Sequence, residues 1–310
     1  MTAYRTVLEA NLTPLAGTLF QPAGFPDLGA AEFGDNALLV ESAQSMANWL
    51  EATTWDTATD GQVPELASAG IPYVRVTDPA GNFLSSSRLE AHRLASAYIM
   101  NGTVGGTNGE KWLETQLGLV KGRPLDYRAV ARACFRLDPV SLLHGVFFAR
   151  KYWPWQPKIS RAVTSFIEAA GVKPAVSGGV KRDVVINEAK GGATAEGYGT
   201  VPHHRVEYTA QTITAYFTVD HAQLRSYGLS GPATALLEAL ADFEIAALLD
   251  RGLRLRTRCD LVVRDVVGER PDAAESAARI AKFAADCADE LGPMTEVVWS
   301  ESARAPKAAK

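Results

Sequence analysis

The sequence predicts an α+β fold in which a sheet carries its helices mainly on one face. Two observations point to it. Segments of alternating hydrophobicity (Thr6–Leu12, Thr209–Val219, Leu253–Val263) are interleaved with segments of helical periodicity. The resulting order is strand, helix, strand, helix, strand, helix, strand, broken by long inserts. With 310 residues, 47% of them hydrophobic, and a mean hydropathy near zero, the chain can bury one large core or two modest ones.

Thr6–Leu12 alternates as a strand, and the proline- and glycine-bearing Phe20–Asp27 after it is a turn-rich loop. Ala37–Glu41 is a short apolar strand leading into a helix over Ser42–Thr53. There Met46, Ala47 and Leu50 recur at helical spacing, and Ser42 stands where an N-cap hydroxyl accepts an orphan backbone N–H. Residues 56–70 read as loop, Tyr73–Thr77 as a brief strand, Leu89–Ile99 as helix and Asn101–Gly109 as a Gly/Thr/Asn loop. The almost wholly apolar and aromatic Leu142–Ala149 suits a buried central strand. Ile159, Val163, Phe166, Ile167 and Ala170 predict a helix over 159–170, ended by Gly171 at C′. Pro232–Asp250 reads as a helix with proline in its first turn and Gly252 past its end. Asp272–Leu291 is a last helix, stopped by Gly292-Pro293, and Ala303–Lys310 is expected to be a disordered tail. There is no internal repeat and no coiled-coil heptad pattern.

One stretch does not suit a plain domain. More than thirty residues separate Gly171 from Thr209, and they include Gly178, Gly179, Gly191, Gly192, Gly197 and Gly199. Stretches of that length are usually lids or binding arms. Val184-Val185-Ile186 and Val206–Tyr208 could pair as the legs of a protruding hairpin.

No apolar run is long enough to span a bilayer, and the first residues do not read as a signal peptide. Cys134, Cys259 and Cys287 are odd in number and far apart, which gives neither a disulfide framework nor a zinc knuckle and fits a reducing compartment. A cytoplasmic location without membrane contact is the expectation. The net charge is −4, but it is unevenly spread. Residues 1–80 carry two basic and ten acidic side chains, whereas 121–182 carry twelve basic and three acidic. That polarity fits either a basic groove on an acidic body or a set of solvated helix faces.

Catalytic motifs are missing: no P-loop, no paired-histidine metalloprotease helix, no nucleophile elbow, no dinucleotide fingerprint. The expectation is a protein with no catalytic residue, no metal and no cofactor. His203 and His204 are adjacent, so on a strand they face opposite sides and cannot share one metal ion. His144, inside an apolar run, reads as a hydrogen-bonded core or edge histidine.

Anion-binding features are better represented. Ser177-Gly178-Gly179-Val180-Lys181-Arg182 offers unobstructed backbone N–H groups followed by two cations, which could cradle a phosphate or simply turn before a hairpin. Ser42, Gln44 and Ser45 put hydroxyl, amide and free N–H donors at a helix start, either as a phosphate contact or as an ordinary N-cap. Arg254, Arg256 and Arg258 alternate along one expected strand and so share a face, with nothing acidic between them.

These segments together resemble the backbone subunit of the type I-G (formerly I-U) CRISPR interference complex, in the RAMP superfamily. The resemblance is carried by Phe20–Gly29 (FQPAGFPDLG), Val40–Asn48 (VESAQSMAN), Leu89–Leu94 (LEAHRL), Ser141–Phe147 (SLLHGVF), Ser177–Lys181 (SGGVK), Tyr198–His203 (YGTVPH) and Gly252–Thr257 (GLRLRT). They run in order across most of the chain.

The resemblance implies a distorted RRM-like (ferredoxin-like) palm with a finger insertion and a thumb β-hairpin. The palm would comprise 1–54, 141–176 and 209–300, the fingers 55–140, the thumb 177–208, and 301–310 a disordered tail. It implies a non-catalytic subunit that polymerises as a filament along guide RNA, gripping its sugar–phosphate backbone and presenting it to target DNA. Its partners would be guide RNA, target DNA through the guide, further copies of itself, and other Cascade subunits (a large subunit and a fused guide-processing and capping subunit). Phe20, Gln21, Ser42, Gln44, Ser45, Asn48, Gly178, Gly179, Lys181, Arg182, His203, His204, Arg205, Arg254, Arg256 and Arg258 would then be RNA-binding. Trp49 stands where relatives carry a basic residue, which departs from the pattern. Type III relatives cut RNA with an acidic loop residue; none can be matched here. A subunit that accepts any spacer cannot read bases, so it should hold phosphates and riboses. A ribonuclease of the same superfamily, and a small-molecule enzyme using Ser177–Arg182 as phosphate loop, are the competing expectations.

Overall fold

The computed structural model describes residues 4–25, 29–181 and 201–301. Its elements, in chain order, begin with β1 (Arg5–Pro14), β2 (Gly29–Phe33), β3 (Ala37–Glu41) and α1 (Ala43–Glu51). An insert follows, containing β4 (Val74–Thr77), β5 (Phe83–Ser86) and α2 (Tyr127–Leu137). Then come β6 (Val163–Ala170), β7 (Lys173–Lys181), β8 (Val201–Thr209) and β9 (Thr212–Asp220). The chain continues through α3 (Gly231–Arg251), β10 (Leu253–Arg256), β11 (Cys259–Val267), α4 (Ala273–Asp286) and β12 (Thr295–Val298).

The fold is α+β. Its main sheet is antiparallel and runs β10-β11-β1-β9-β6-β3-β2, with the short strand Gly24–Phe25 beyond β2. Six of these elements follow in the order β1, α1, β6, β9, α3, β11, and their four strands stand side by side as β11-β1-β9-β6. In β6 the odd positions Val163, Ser165, Ile167 and Ala169 are buried, the alternation of a strand with one covered face. The cover is α1, which packs on β6, and α3, which packs on α1 and α4. Helix α3 is apolar almost all round (Leu236, Leu237, Leu240, Phe243, Leu248), as suits a central buried helix.

The insert builds a second sheet, in which β4 pairs antiparallel with β5 and parallel with β12, so a strand near the chain's end closes it. Two buried ion pairs organise the insert, one within it and one to α1. Arg88 Nε donates to Asp138 Oδ1 at 2.7 Å with both side chains essentially unexposed, and its Nη atoms donate to Thr54 Oγ1 and Pro72 O. Arg93 grips Glu51 with two bonds of 2.6 Å and donates a third to Gly145 O at 3.0 Å. Among the described residues no helix is long and apolar enough to cross a membrane.

Five expectations need correction. Residues 159–170 are not a helix: β6 occupies 163–170, because residues four apart share a face in a strand as well as in a helix. Leu142–Ala149 is not a central strand. A helical turn over Val140–His144, capped by Asp138 Oδ1 on the Val140 N–H, ends at Gly145 with φ +79°, and only Val146–Phe147 is extended. Leu89–Ile99 is mostly turns with a 3-10 turn at Arg93–Ala95, and helix starts only at Ala97. Leu253–Val263 is two strands joined by a turn at Thr257-Arg258, since Leu253 pairs back with Leu261. Residues 56–70, expected as loop, include a helical turn at Pro64–Ser68. Asp27, Arg182, Val184–Ile186, the glycines at 191, 192, 197 and 199, and the tail lie outside the described residues.

Candidate nucleic-acid interface

Four parts of the chain meet where the β7–β8 hairpin leaves the main sheet. Residues 15–23 strap them together: Leu15 N donates to Asp260 O, Phe20 and Tyr208 exchange backbone bonds of 2.9 and 2.8 Å, Gln21 N donates to Arg258 O, and Ala23 N donates to Val40 O. The strap thus touches the β10–β11 hairpin, β8 and β3 in turn. It leaves an open groove of about 560 Å3 whose lining includes Gln21, Ala23, Arg205, Tyr208 and Arg256.

The arginines here are unequal. Arg256 is consumed by the fold, its guanidinium bonded to Glu41 Oε2, Gln21 O at 2.8 Å and Val40 O at 3.5 Å. Arg258 donates Nε to Glu207 Oε1 at 2.7 Å, and Arg205 Nη1 lies 3.8 Å from the same oxygen. One buried carboxylate therefore orients two guanidinium groups, whose side chains are still 41% and 45% exposed. The Arg258 hydrogen bond holds the Glu207 carboxyl below its ordinary range despite burial, and Glu207 in turn raises Arg258. Arg254 shares a strand face with Arg256 but is 80% exposed, with Asp260 at 4.0 Å its one ion-pair partner among the described residues. Tyr208 donates its hydroxyl to Glu32; burial, that bond and the Glu32 charge push the phenol up to about 12, so it stays a neutral donor. Arg205, Arg254 and Arg258 thus keep N–H donors facing out, the property needed to receive phosphate oxygens.

The other expected contacts divide. Gln21, Arg205 and Arg256 line the groove, and Arg258 sits at its rim. Phe20 is completely buried beneath it, so its ring cannot stack on a base; its part is to anchor the strap. Ser42 is an N-cap, its hydroxyl accepting the Ser45 N–H at 3.2 Å, and it follows Glu41, the partner of Arg256. Gln44 and Asn48 are exposed one turn apart on α1, Ser45 is half-buried between them, and Trp49 packs on the core. Arg254, Arg256 and Arg258 do not share one strand face, because Arg258 is in the turn, and two of the three have carboxylate partners that the local sequence does not show.

Ser177–Lys181 is extended, paired residue by residue with 201–205, so it is a strand and not a phosphate-cradling loop. Gly178 stands opposite His204, Gly179 opposite His203, and Lys181 opposite Val201. The leg that pairs with Val206 is Val176, not the 184–186 segment. His144, as expected of a core histidine, is buried with Nε2 2.8 Å from Glu244 Oε2. Sequence reasoning missed Glu41 and Glu207. The second had a signal, since Arg205 and Glu207 are two apart on a strand and so face the same side. Among the described residues no group of three or more His, Cys, Asp or Glu could hold a metal ion.

Two solved structures are similar to this chain at low identity. One is a chain described as "CRISPR RNA-guided surveillance complex, pre-nicking", with 12% identity and a TM-score of 0.39, covering 78% of this chain and 69% of that one. The other is Csc2 of Thermofilum pendens, with 10% identity and a TM-score of 0.34, covering 97% and 80%. No curated protein matches the sequence. The model of the family described as CRISPR-associated protein GSU0053 matches residues 6–174, more than half of the chain, from β1 to the start of β7. The chain belongs to this CRISPR-associated GSU0053 family.

Proposed function

We propose that this protein is a non-catalytic subunit of a type I-G Cascade complex that holds guide RNA by its sugar–phosphate backbone. The observation that carries this reading is the convergence of Arg205 and Arg258 on Glu207, each with donors to spare, beside the groove at the root of the β7–β8 hairpin, with the exposed Arg254 two residues from the groove-lining Arg256. No base-reading set of side chains is needed there, which suits a guide of arbitrary sequence. The order β1, α1, β6, β9, α3, β11 on neighbours β11-β1-β9-β6 is that of a ferredoxin-like unit and supports the RRM-like palm. Residues 55–140 are then the fingers and 177–208 the thumb. In this reading copies of the chain stack along one guide in the cytoplasm, next to a large subunit and a guide-processing subunit. They leave target DNA to be recognised by pairing with the guide.

The test is purification from cells that also express a CRISPR array. The protein is expected to elute as a large, uniform assembly with an absorbance ratio typical of nucleoprotein, carrying RNA of a single length. Nucleic-acid-free monomer under those conditions would overturn the proposal.

A further inference from the structure

A second cleft, away from the hairpin base, is built from the insert and from the 145–161 segment that leads into β6. It encloses about 520 Å3 and is lined by residues 91–93 on one side and by His144–Phe147 and Lys158–Arg161 on the other. Its shape depends on Gly145: a Cβ there would lie 2.8 Å from Ile159 O and 3.1 Å from Arg161 N, and φ is +79°. Only glycine lets the two legs close up at this point.

The cleft's charge is unbalanced. Arg93 is satisfied by Glu51 and Gly145 O, and His144 by Glu244. Arg161, half-buried on the wall, forms no hydrogen bond or ion pair to any described residue. Burial, and then the charge of Arg93, pull its guanidinium below the ordinary value against Glu51, so an incoming anion would relieve a real cost. Lys158 is exposed at the mouth with its Nζ 6.0 Å from the ring centre of Phe147, a residue that is 48% exposed. An exposed aromatic ring beside two cations, in an open cleft, is the arrangement by which proteins hold single-stranded nucleic acid without reading its sequence.

We propose that this cleft is a second subsite for single-stranded nucleic acid, in which Phe147 stacks on a base while Lys158 and Arg161 hold the adjoining phosphates. It rests on the reading of the chain as a subunit that holds nucleic acid, and assigns it a contact separate from the groove at the hairpin root. The strand is either RNA or DNA; both present the same phosphate and π-face.

The test measures fluorescence anisotropy of labelled single-stranded RNA and DNA of mixed sequence with wild type, F147A/K158A, R161Q and R205A/R254A. Thermal unfolding is followed in parallel, and F147A/K158A removes exposed side chains only. F147A/K158A is expected to lose about fivefold or more in affinity for at least one strand with an unchanged melting curve. R161Q is expected to flatten the salt dependence by about 0.7 in log–log slope. Loss confined to RNA identifies the guide as occupant, and loss confined to DNA identifies a target strand. Wild-type affinity of F147A/K158A for both strands, with R205A/R254A weakened, overturns this subsite alone. The reverse pattern overturns the hairpin-root groove alone, and a wild-type chain that binds neither strand overturns both.

Discussion

Arg88 and Arg258 each donate Nε to a carboxylate oxygen at 2.7 Å, yet the two sites differ in what remains after the pair has formed. Around Arg88 every nitrogen has a partner. Its other nitrogens meet Thr54 and Pro72, while Asp138 also accepts from Ser87 Oγ and caps the Val140 N–H. That pair is a bolt inside the insert, joining the segment after β5 to the end of α2. Around Arg258 one buried carboxylate serves two half-exposed guanidinium groups, so donors are left over and point outward. An arginine–carboxylate pair is therefore not in itself a sign of either stability or binding. Burial and the count of unused donors separate the two.

The comparison breaks most visibly at the closed site. Asp138→Ala takes the charge partner from a buried guanidinium and removes the acceptor of the Ser87 hydroxyl and of the Val140 N–H. The variant is expected to cost about 3–5 kcal/mol in chemical denaturation, while any protein that still folds keeps its RNA affinity. A loss below about 1 kcal/mol, on the scale of an exposed pair, would mean that the two sites are alike after all.

Little of that closed site could be read from the sequence, because Asp138 is fifty residues from Arg88 and Arg93 is forty-two from Glu51. Local pattern carries no trace of partners that tertiary folding alone brings together. Where one element's own chemistry decides, the reading fared better: Ser42 caps α1, Met46, Ala47 and Leu50 are buried, and Gly252 ends α3 with φ +75°. Val163–Ala170 misled because spacings of four fit both periods, and the β10–β11 turn was hidden because Leu253–Val263 alternates straight through it. At the open site the cations were legible and their carboxylates were not. Arg256 looked like a free cation and is a tie to Glu41.

A smaller effect sharpens the open side of the comparison. Glu207→Gln removes the charge that orients Arg205 and Arg258. The carboxyl is held below its ordinary value of 4.5, so its contribution is complete above about pH 4.5 and is lost as pH falls through the lower folded value. The variant should melt a few degrees below wild type at neutral pH, and the gap should close in acid. Melting curves across that range check it; a gap that stays constant would mean that the carboxylate's charge is not what matters. RNA affinity at neutral pH should hold or rise, since two cations are released.

The most direct test is equilibrium binding of single-stranded RNAs of unrelated sequence to wild type and to R205A/R254A over a range of salt concentrations. The account predicts that the double variant binds every RNA more weakly by the same factor, with a log–log salt slope shallower by about 0.7 for each phosphate contact removed. An unchanged slope, or a loss that varies with RNA sequence, would contradict it.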